Sequence, residues 1–329
     1  MLPTPADLTL DEIQNRFATD EAARAYLEEI RWPNGVVCPH CKNADQAKFW
    51  TIKTNTKKSI RAGLRQCVEC KKQFTCTVGT IFEDSHIPLR KWLVAWYLLC
   101  SSKKGISSLQ IQRMLGLGSY RTALFMMHRI RYALKHPAFA EKIMGTVEVD
   151  ETYIGGKCPV RSEMWKNKAA VVSLVERGGN VRSTVMERVT ARNLQQFVRD
   201  SVVVCSPVYS DEHHGYGGLR VKFQHHTVKH SRKEYVRGEF HTNTVEGFFS
   251  LLKRGVIGTF HQVSKKHLPL YLAEFDHRYN HPSQNDGWRA HCRGDKTGRG
   301  QAVDAQATQT QIKTIRPICS QPPSGHHCG

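Results

Sequence analysis

The sequence predicts an α/β protein in which a small cysteine-bearing β module and a helical segment lead into a larger domain of alternating strands and helices. Three features predict this. Two CxxC pairs sit among short β-type runs between Trp32 and Thr80, apolar residues recur at helical spacing from residue 88 to 135, and after Gly145 short apolar runs alternate with amphipathic stretches of helical period.

Taken in order, residues 9 to 30 carry apolar side chains at helical spacing, with Thr9 or Asp11 placed to cap, which predicts one or two short acidic helices. From Trp32 to Thr80 the runs KFWTI, GLRQC and KQFTCTV, punctuated by Gly, Asn and Cys, predict short strands. Residues 88–102, 107–116 and 119–135 predict three helices broken at Gly105 and at Gly116 to Gly118. Strands follow at 146–154, 168–177 and 181–189, a helix at 190–202, strands at 206–212 and 221–228, and helices at 241–255 and 265–280. From His281 the composition shifts to Gln, Gly, Ser, Thr and Pro, with Trp288 the one aromatic residue in 49, so this tail is expected to be disordered. The expected organisation is a helical segment at 1–31, a β module at 32–80, a helical segment at 86–138, an α/β domain at 145–281 and the tail at 282–329.

Charge narrows the function classes. Lys and Arg number 48 against 29 Asp and Glu, a formal net charge of +19 with 40% apolar residues. A folded chain this basic points to a polyanionic partner, most often nucleic acid, because each cation that displaces a condensed counterion strengthens binding. No basic amphipathic helix suits an anionic membrane, and no stretch approaches the ~18 apolar residues of a membrane span. The start, MLPTPADLTLDEI, lacks the basic and apolar regions of a signal peptide. The expectation is a cytoplasmic, nucleoid-associated protein.

Four of the eleven cysteines form Cys38-Pro-His-Cys41 and Cys67-Val-Glu-Cys70, with 25 residues between the pairs. Two such turns present four thiolates to one tetrahedral zinc ion and so stabilise a module too small for a core of its own. Four protein ligands leave no open position, so the zinc is structural. His40 and Cys76 are spare candidates. A redox CxxC is disfavoured because the pairs are matched and lie outside any βαβ pattern.

Residues 107–115 and 120–134, joined by Gly-Leu-Gly-Ser, have the lengths of a helix-turn-helix, and the second helix carries Arg121, His128, Arg129 and Arg131. Such a helix suits a major groove, with Arg121, Arg129 and Arg131 on phosphates or base edges. An ordinary helical hairpin with solvated arginines has the same pattern, and the net charge favours the DNA-binding alternative.

Two acids, Asp150 and Asp211, each close an apolar strand-like run, and they meet if those strands are neighbours in one sheet. On the helix after them, Asn243, Glu246, Ser250 and Lys253 fall at i, i+3, i+7 and i+10, one narrow polar stripe at ~100° per residue, while Val245, Phe248, Phe249 and Leu252 fall on the other faces. Two Asp and a Glu converging on one point repel unless a divalent ion fills the gap, and all-oxygen ligands suit Mg²⁺ or Mn²⁺. Such a site supports in-line phosphodiester displacement by two metals.

These residues resemble the bacterial insertion-sequence DDE transposases of the ISXO type, which carry a zinc ribbon ahead of an RNase H-like domain. The resemblance rests on VEVDETYIGGK at 147–157, YSDEHHGYGGL at 209–219, HTVKHSRKEYVRGEFHTNTVEGFFSLLKRGVIGTF at 226–260 and YLAEFDHRYN at 271–280, with CPHC, CVEC and RTALFMMHRIR before them. It implies a mixed RNase H-like sheet with Asp150 on its first strand, Asp211 after the fourth and Glu246 on the following helix, with Lys253, and beside it Arg254, contacting DNA phosphates. In some branches the third catalytic position is Asn or His, so Asn243 stands beside Glu246 as an alternative there. The resemblance implies a Mg²⁺- or Mn²⁺-dependent enzyme that binds the double-stranded inverted-repeat ends and target DNA, cleaves and transfers strands, and works as a homo-oligomer. A DNA-binding regulator without chemistry and a nuclease of the junction-resolvase kind are the other readings. Beyond Tyr279-Asn280 the family continues into an Arg-, Leu- and Ala-rich helix, whereas this chain reads HPSQNDGWRAHCRGDK.

Overall fold

The computed structural model describes residues 9–53, 61–135, 142–156, 167–228 and 241–281. The tail expected to be disordered lies outside them. The chain divides into two compact units, with the boundary between Trp96 and Tyr97. No helix among the described residues is long and apolar enough to cross a membrane.

The first unit opens with α1 (Leu10–Arg16) and α2 (Asp20–Arg31). Thr9 is the cap of α1, and it forms a capping box in which the Thr9 amide donates to Glu12 at 2.6 Å while the Glu12 amide donates back to Thr9 Oγ1 at 3.3 Å. Three short antiparallel strands follow in the order β1 (Phe49–Thr51), β2 (Arg65–Cys67) and β3 (Gln73–Phe74). α2 is tied to this sheet by Arg65, which donates to Glu28 at 2.8 Å, and by Trp32, which meets Phe74 edge-on with ring centres 6.0 Å apart. The acidic helix thus supplies the apolar cover that three tiny strands cannot supply for themselves. α3 (Leu89–Ser101) contains the unit boundary.

The second unit begins within α3 and continues with α4 (Ser108–Met114) and α5 (Tyr120–Leu134), capped by Ser107 and Ser119. Its centre is a five-stranded mixed sheet formed by β4 (Val147–Gly155), β5 (Lys168–Glu176), β6 (Val181–Met186), β7 (Pro207–Ser210) and β8 (Gln224–Thr227), in the order β6-β5-β4-β7-β8. β4 runs antiparallel to β5 and parallel to β7. Helices α6 (Ala191–Ser201), α7 (Asn243–Gly255) and α8 (Leu268–Asn280) complete it.

Strand alternation sorts the sheet into two faces. Val147 and Val149 of β4 join Leu194 and Val198 of α6 and Tyr216 and Leu219 in one core, whereas Ile154 joins Val245, Phe248, Phe249 and Leu252 of α7 and Phe275 of α8 in the other. The even positions Glu148 and Asp150 therefore belong to the α7 face. α8 also seals the sheet's edge: Asn280 accepts from the Val181 amide at 2.7 Å and donates to the Val181 carbonyl at 3.0 Å, and Asp276 accepts from the Ser183 amide at 2.7 Å. Around Val181 and Ser183 these side chains occupy positions a further strand would take.

α5 is joined to α8 through charge. Arg131 Nε donates to Glu274 Oε2 at 2.5 Å, Arg278 donates to the other oxygen, and Arg131 lies 4.0 Å from the Tyr271 ring centre. All three charged groups are buried.

Candidate metal centres and nucleic-acid face

The first candidate site gathers Cys38, Cys41, Cys67 and Cys70, whose sulfurs all lie within 4.8 Å of one another. Cys38 and Cys70 Sγ are 3.7 Å apart, and Cys41 and Cys67 Sγ 3.6 Å. A tetrahedron with Zn–S bonds of ~2.3 Å has edges of ~3.8 Å, so the spacing fits that ion. The knuckles are built alike. The Cys38 amide donates to Asn43 O at 2.9 Å and the Cys67 amide to Lys72 O at 3.1 Å, and the residue after each second cysteine is a left-handed lysine, Lys42 at φ 66° and Lys71 at φ 56°. Backbone amides, that of Cys70 foremost, pull the Cys67 thiol down to about 7, while Cys41, against the pull of the Asn43 amide, is pushed up to about 12 by desolvation and the neighbouring sulfurs. The two spare candidates stay outside the cluster: His40 Nε2 lies 3.4 Å from Gln73 O, and burial pushes the Cys76 thiol up to about 12.

The second candidate site grows from strand register. β4 and β7 are parallel neighbours with Val149 opposite Ser210, so the next residues, Asp150 and Asp211, lie side by side. β7 stops at Ser210, which leaves Asp211 at an open strand end. β4 continues past Asp150 to Gly155 along β5, as the predicted strand at 146–154 requires, so Asp150 is interior to its strand and half-buried, open on the side where β7 has ended. Oxygens of Asp150, Asp211 and Glu151 all lie within 4.8 Å of one another. Glu151 was not anticipated, since alternation assigns it to the opposite face from Asp150. There its Oε2 accepts the Tyr216 hydroxyl at 2.7 Å, and Asp211 Oδ1 accepts the His213 amide at 3.0 Å. The acid doublet in VEVDETY was its sequence signal.

Burial foremost, with the charges of Asp211, Glu151 and Glu246 adding to it, pushes the Asp150 carboxyl up to about 7. Glu151 is raised too, first by burial. Crowded carboxylates with no cation among them are held toward the protonated form, and a divalent cation relieves that repulsion. All ligand atoms are hard oxygens, a set that fits Mg²⁺ or Mn²⁺ and excludes a thiolate metal.

The α7 stripe is as the helical spacing requires: Asn243, Glu246, Ser250 and Lys253 are exposed, and Val245, Phe248, Phe249 and Leu252 are buried. Asp150, Glu246, Lys253, Arg254 and Lys104 line one cleft of about 860 Å³. Glu246 thus shares the cleft with Asp150 but stands outside the tight group of three acids. Neither Asn243, at the first turn of α7, nor Asp211 is among the cleft's lining residues, which do include Glu151. Lys104 is a cation that motif reading missed, because its loop precedes the helical pair and carries no pattern.

The predicted DNA-facing arginines divide. Arg121 is exposed, and Arg129 is half-buried with its guanidinium 5.5 Å from the Phe125 ring centre. Arg131 is a correction. It faces the core, at 0% exposure, paired with Glu274. It lies one residue off the exposed face, where Tyr132 is 54% exposed, and 100° of rotation separates solvent from interior.

Residues 18–73 match the transposase zinc-ribbon domain and residues 142–280 the ISXO2-like transposase domain. The first match includes α2, in keeping with its packing on the small sheet. The chain is also 29% identical over 282 residues, 80% of its own length and 91% of the relative's, to an uncharacterized protein in transposable element ISH50 of Halobacterium salinarum. With four clustered thiols inside the first match and paired acids inside the second, the chain resembles the ISXO2-like insertion-sequence DDE transposases over these two regions.

Proposed function

We propose that the protein binds the ends of its element and catalyses DNA strand cleavage followed by strand transfer, with a divalent cation held by Asp150, Asp211 and Glu246. The observation that carries this is the parallel register that sets Asp211 beside Asp150, which itself lines a cleft with Glu246, Lys253 and Arg254. Glu246, which accepts from the Thr242 hydroxyl at 3.3 Å, takes the third place because it is exposed, whereas Glu151, which lines the same cleft, is half-buried and accepts the Tyr216 hydroxyl at 2.7 Å. Bound there, Mg²⁺ or Mn²⁺ would polarise the scissile phosphate and lower the pKa of the attacking water or hydroxyl.

The chain's own residues supply the rest. Lys253 and Arg254, two turns along α7 from Glu246, hold the phosphate backbone of the strand over the acids. Arg121 and Arg129 fix the duplex at a distance from the chemistry, and zinc on Cys38, Cys41, Cys67 and Cys70 keeps the ribbon folded. Hydrolysis frees a 3′-hydroxyl at the element end. That hydroxyl then displaces a phosphodiester of the target, one P–O bond forming as one breaks. Two ends must be joined, so the protein acts as a homo-oligomer on DNA.

The test uses a supercoiled plasmid carrying the gene with its flanking DNA, incubated with the purified zinc-loaded chain and Mg²⁺. Nicking at the element ends and joining to target are expected for wild type. Asp150→Ala, Asp211→Ala and Glu246→Gln are expected to abolish both while leaving end binding intact, and Asn243→Ala to spare them. Loss of activity in Asn243→Ala with activity kept in Glu246→Gln would move the third position to Asn243; activity lost only in Glu151→Gln would move it to Glu151. Binding without nicking by the wild type in Mg²⁺ or Mn²⁺ would leave a DNA-binding regulator.

A further inference from the structure

α7 lacks the cap that its own sequence would provide, and the missing group comes from the neighbouring strand. Thr242, at the N-cap, makes no side-chain capping bond. The amides that such a cap serves, those of the second and third helical residues, point instead at β4: Thr244 N donates to Glu148 Oε2 at 2.8 Å and Val245 N to the same oxygen at 3.1 Å. The Thr244 hydroxyl donates to Oε1 at 2.9 Å. Glu148 is fully buried, and its charge is met by Arg177, whose Nε donates to Oε1 at 2.6 Å and whose Nη2 reaches the His241 carbonyl at 2.9 Å, just ahead of the helix. A buried carboxylate at a helix N-terminus, held by two amides, a hydroxyl and a guanidinium, is a fixed joint between strand and helix.

The joint lies where the proposed metal site needs one. Glu148 is two residues before Asp150 on the same face of β4, and the amides it holds are one and two residues before Glu246. We infer that Glu148 is a positioning residue: it fastens the first turn of α7 to β4 and so sets Glu246 against Asp150 in the cleft. This rests on the reading of those acids as a metal site. Glu148 touches neither the cleft nor a ligand, and it acts only through the placement of α7.

The test measures Mn²⁺ binding to the full, zinc-loaded chain by titration, with hydrogen exchange at Thr244 and Val245 alongside. Glu148→Gln is expected to lower Mn²⁺ affinity about tenfold, the scale seen when a partner behind a metal ligand is lost, while zinc content is retained and both amides lose protection. In the Glu246→Gln background the same substitution is expected to have no further effect, which general destabilisation would not produce. Unchanged affinity in Glu148→Gln, or an equal loss with and without Glu246, overturns the proposal alone. A wild-type chain that binds no Mn²⁺ overturns the metal reading and the proposal with it. Should Glu148→Gln fail to fold, Arg177→Gln, which leaves the carboxylate but frees it from its guanidinium, is read against the same outcomes.

Discussion

Arg131→Ala separates two physical roles that an arginine on a basic helix can have. The side chain is fully buried, donates to Glu274 at 2.5 Å and stacks over Tyr271 at 4.0 Å. Breaking a buried pair by removing one partner costs about 3–5 kcal/mol. Here the lower end applies, because Arg131 Nη1 and Nη2 have no hydrogen-bond partner among the described residues and Glu274 keeps Arg278. About 3 kcal/mol in a unit of this size lowers Tm by ~6–12 °C. A phosphate contact would behave differently, changing the slope of log K against log salt by ~0.9 without touching Tm. The assay is therefore a pair of measurements on each variant: a calorimetric melt, and anisotropy of labelled duplex between roughly 50 and 200 mM salt. Arg131→Ala is expected to lose Tm and keep the slope, and Arg121→Ala to keep Tm and lose about one unit of slope. Arg131→Ala melting like wild type with a reduced slope would refute the buried placement and return Arg131 to the DNA.

Cys67→Ser is expected to release the zinc and unfold the ribbon, read as metal content by atomic absorption and as loss of the first unit's transition; full zinc occupancy in the variant would contradict a four-thiolate site. Asp276 is half-buried, and the desolvation of its carboxyl raises it from 3.8 to about 7, so the folded chain binds more protons than the unfolded chain between those values. Stability therefore falls as pH rises through that window and levels off above it; Asp276→Asn is expected to reduce the slope of Tm against pH there, and an unchanged slope would exclude Asp276 as a source. In Gly255→Ala the new Cβ would lie 2.3 Å from Phe275 Cζ and 2.9 Å from the Lys104 carbonyl, so a loss of ~1–3 kcal/mol is expected in place of the ~1 kcal/mol gain usual for Gly to Ala in a helix. A denaturation midpoint above wild type would show that the site can open.

Much of this molecule was determined by sequence alone, and the reason is locality. The CxxC pairs bring their own turns, so two four-residue segments already carry the geometry of half a zinc site each. The polar stripe of α7 follows from helical period, and its four exposed residues and buried Val245, Phe248, Phe249 and Leu252 stand where that period requires. The strands and helices of the second unit follow their apolar patterns to within a few residues for the same reason.

What only the tertiary structure decided are relations between segments far apart in the chain. That Asp150 meets Asp211 depends on β4 and β7 being parallel neighbours across an intervening hairpin and helix, and no local pattern encodes strand order. Glu151 reaches the same acids because β7 ends at Ser210, although alternation alone sends its side chain to the opposite face. Arg131 looked like a DNA contact because its partner, Glu274, lies 143 residues away, and the fate of a charge depends on what packs against it rather than on its neighbours in the helix. By alternation alone Glu148 is one more polar position in its strand; only the arrival of α7, 96 residues later, makes it the cap of that helix. Period is a property of consecutive residues, whereas electrostatic pairing belongs to the fold.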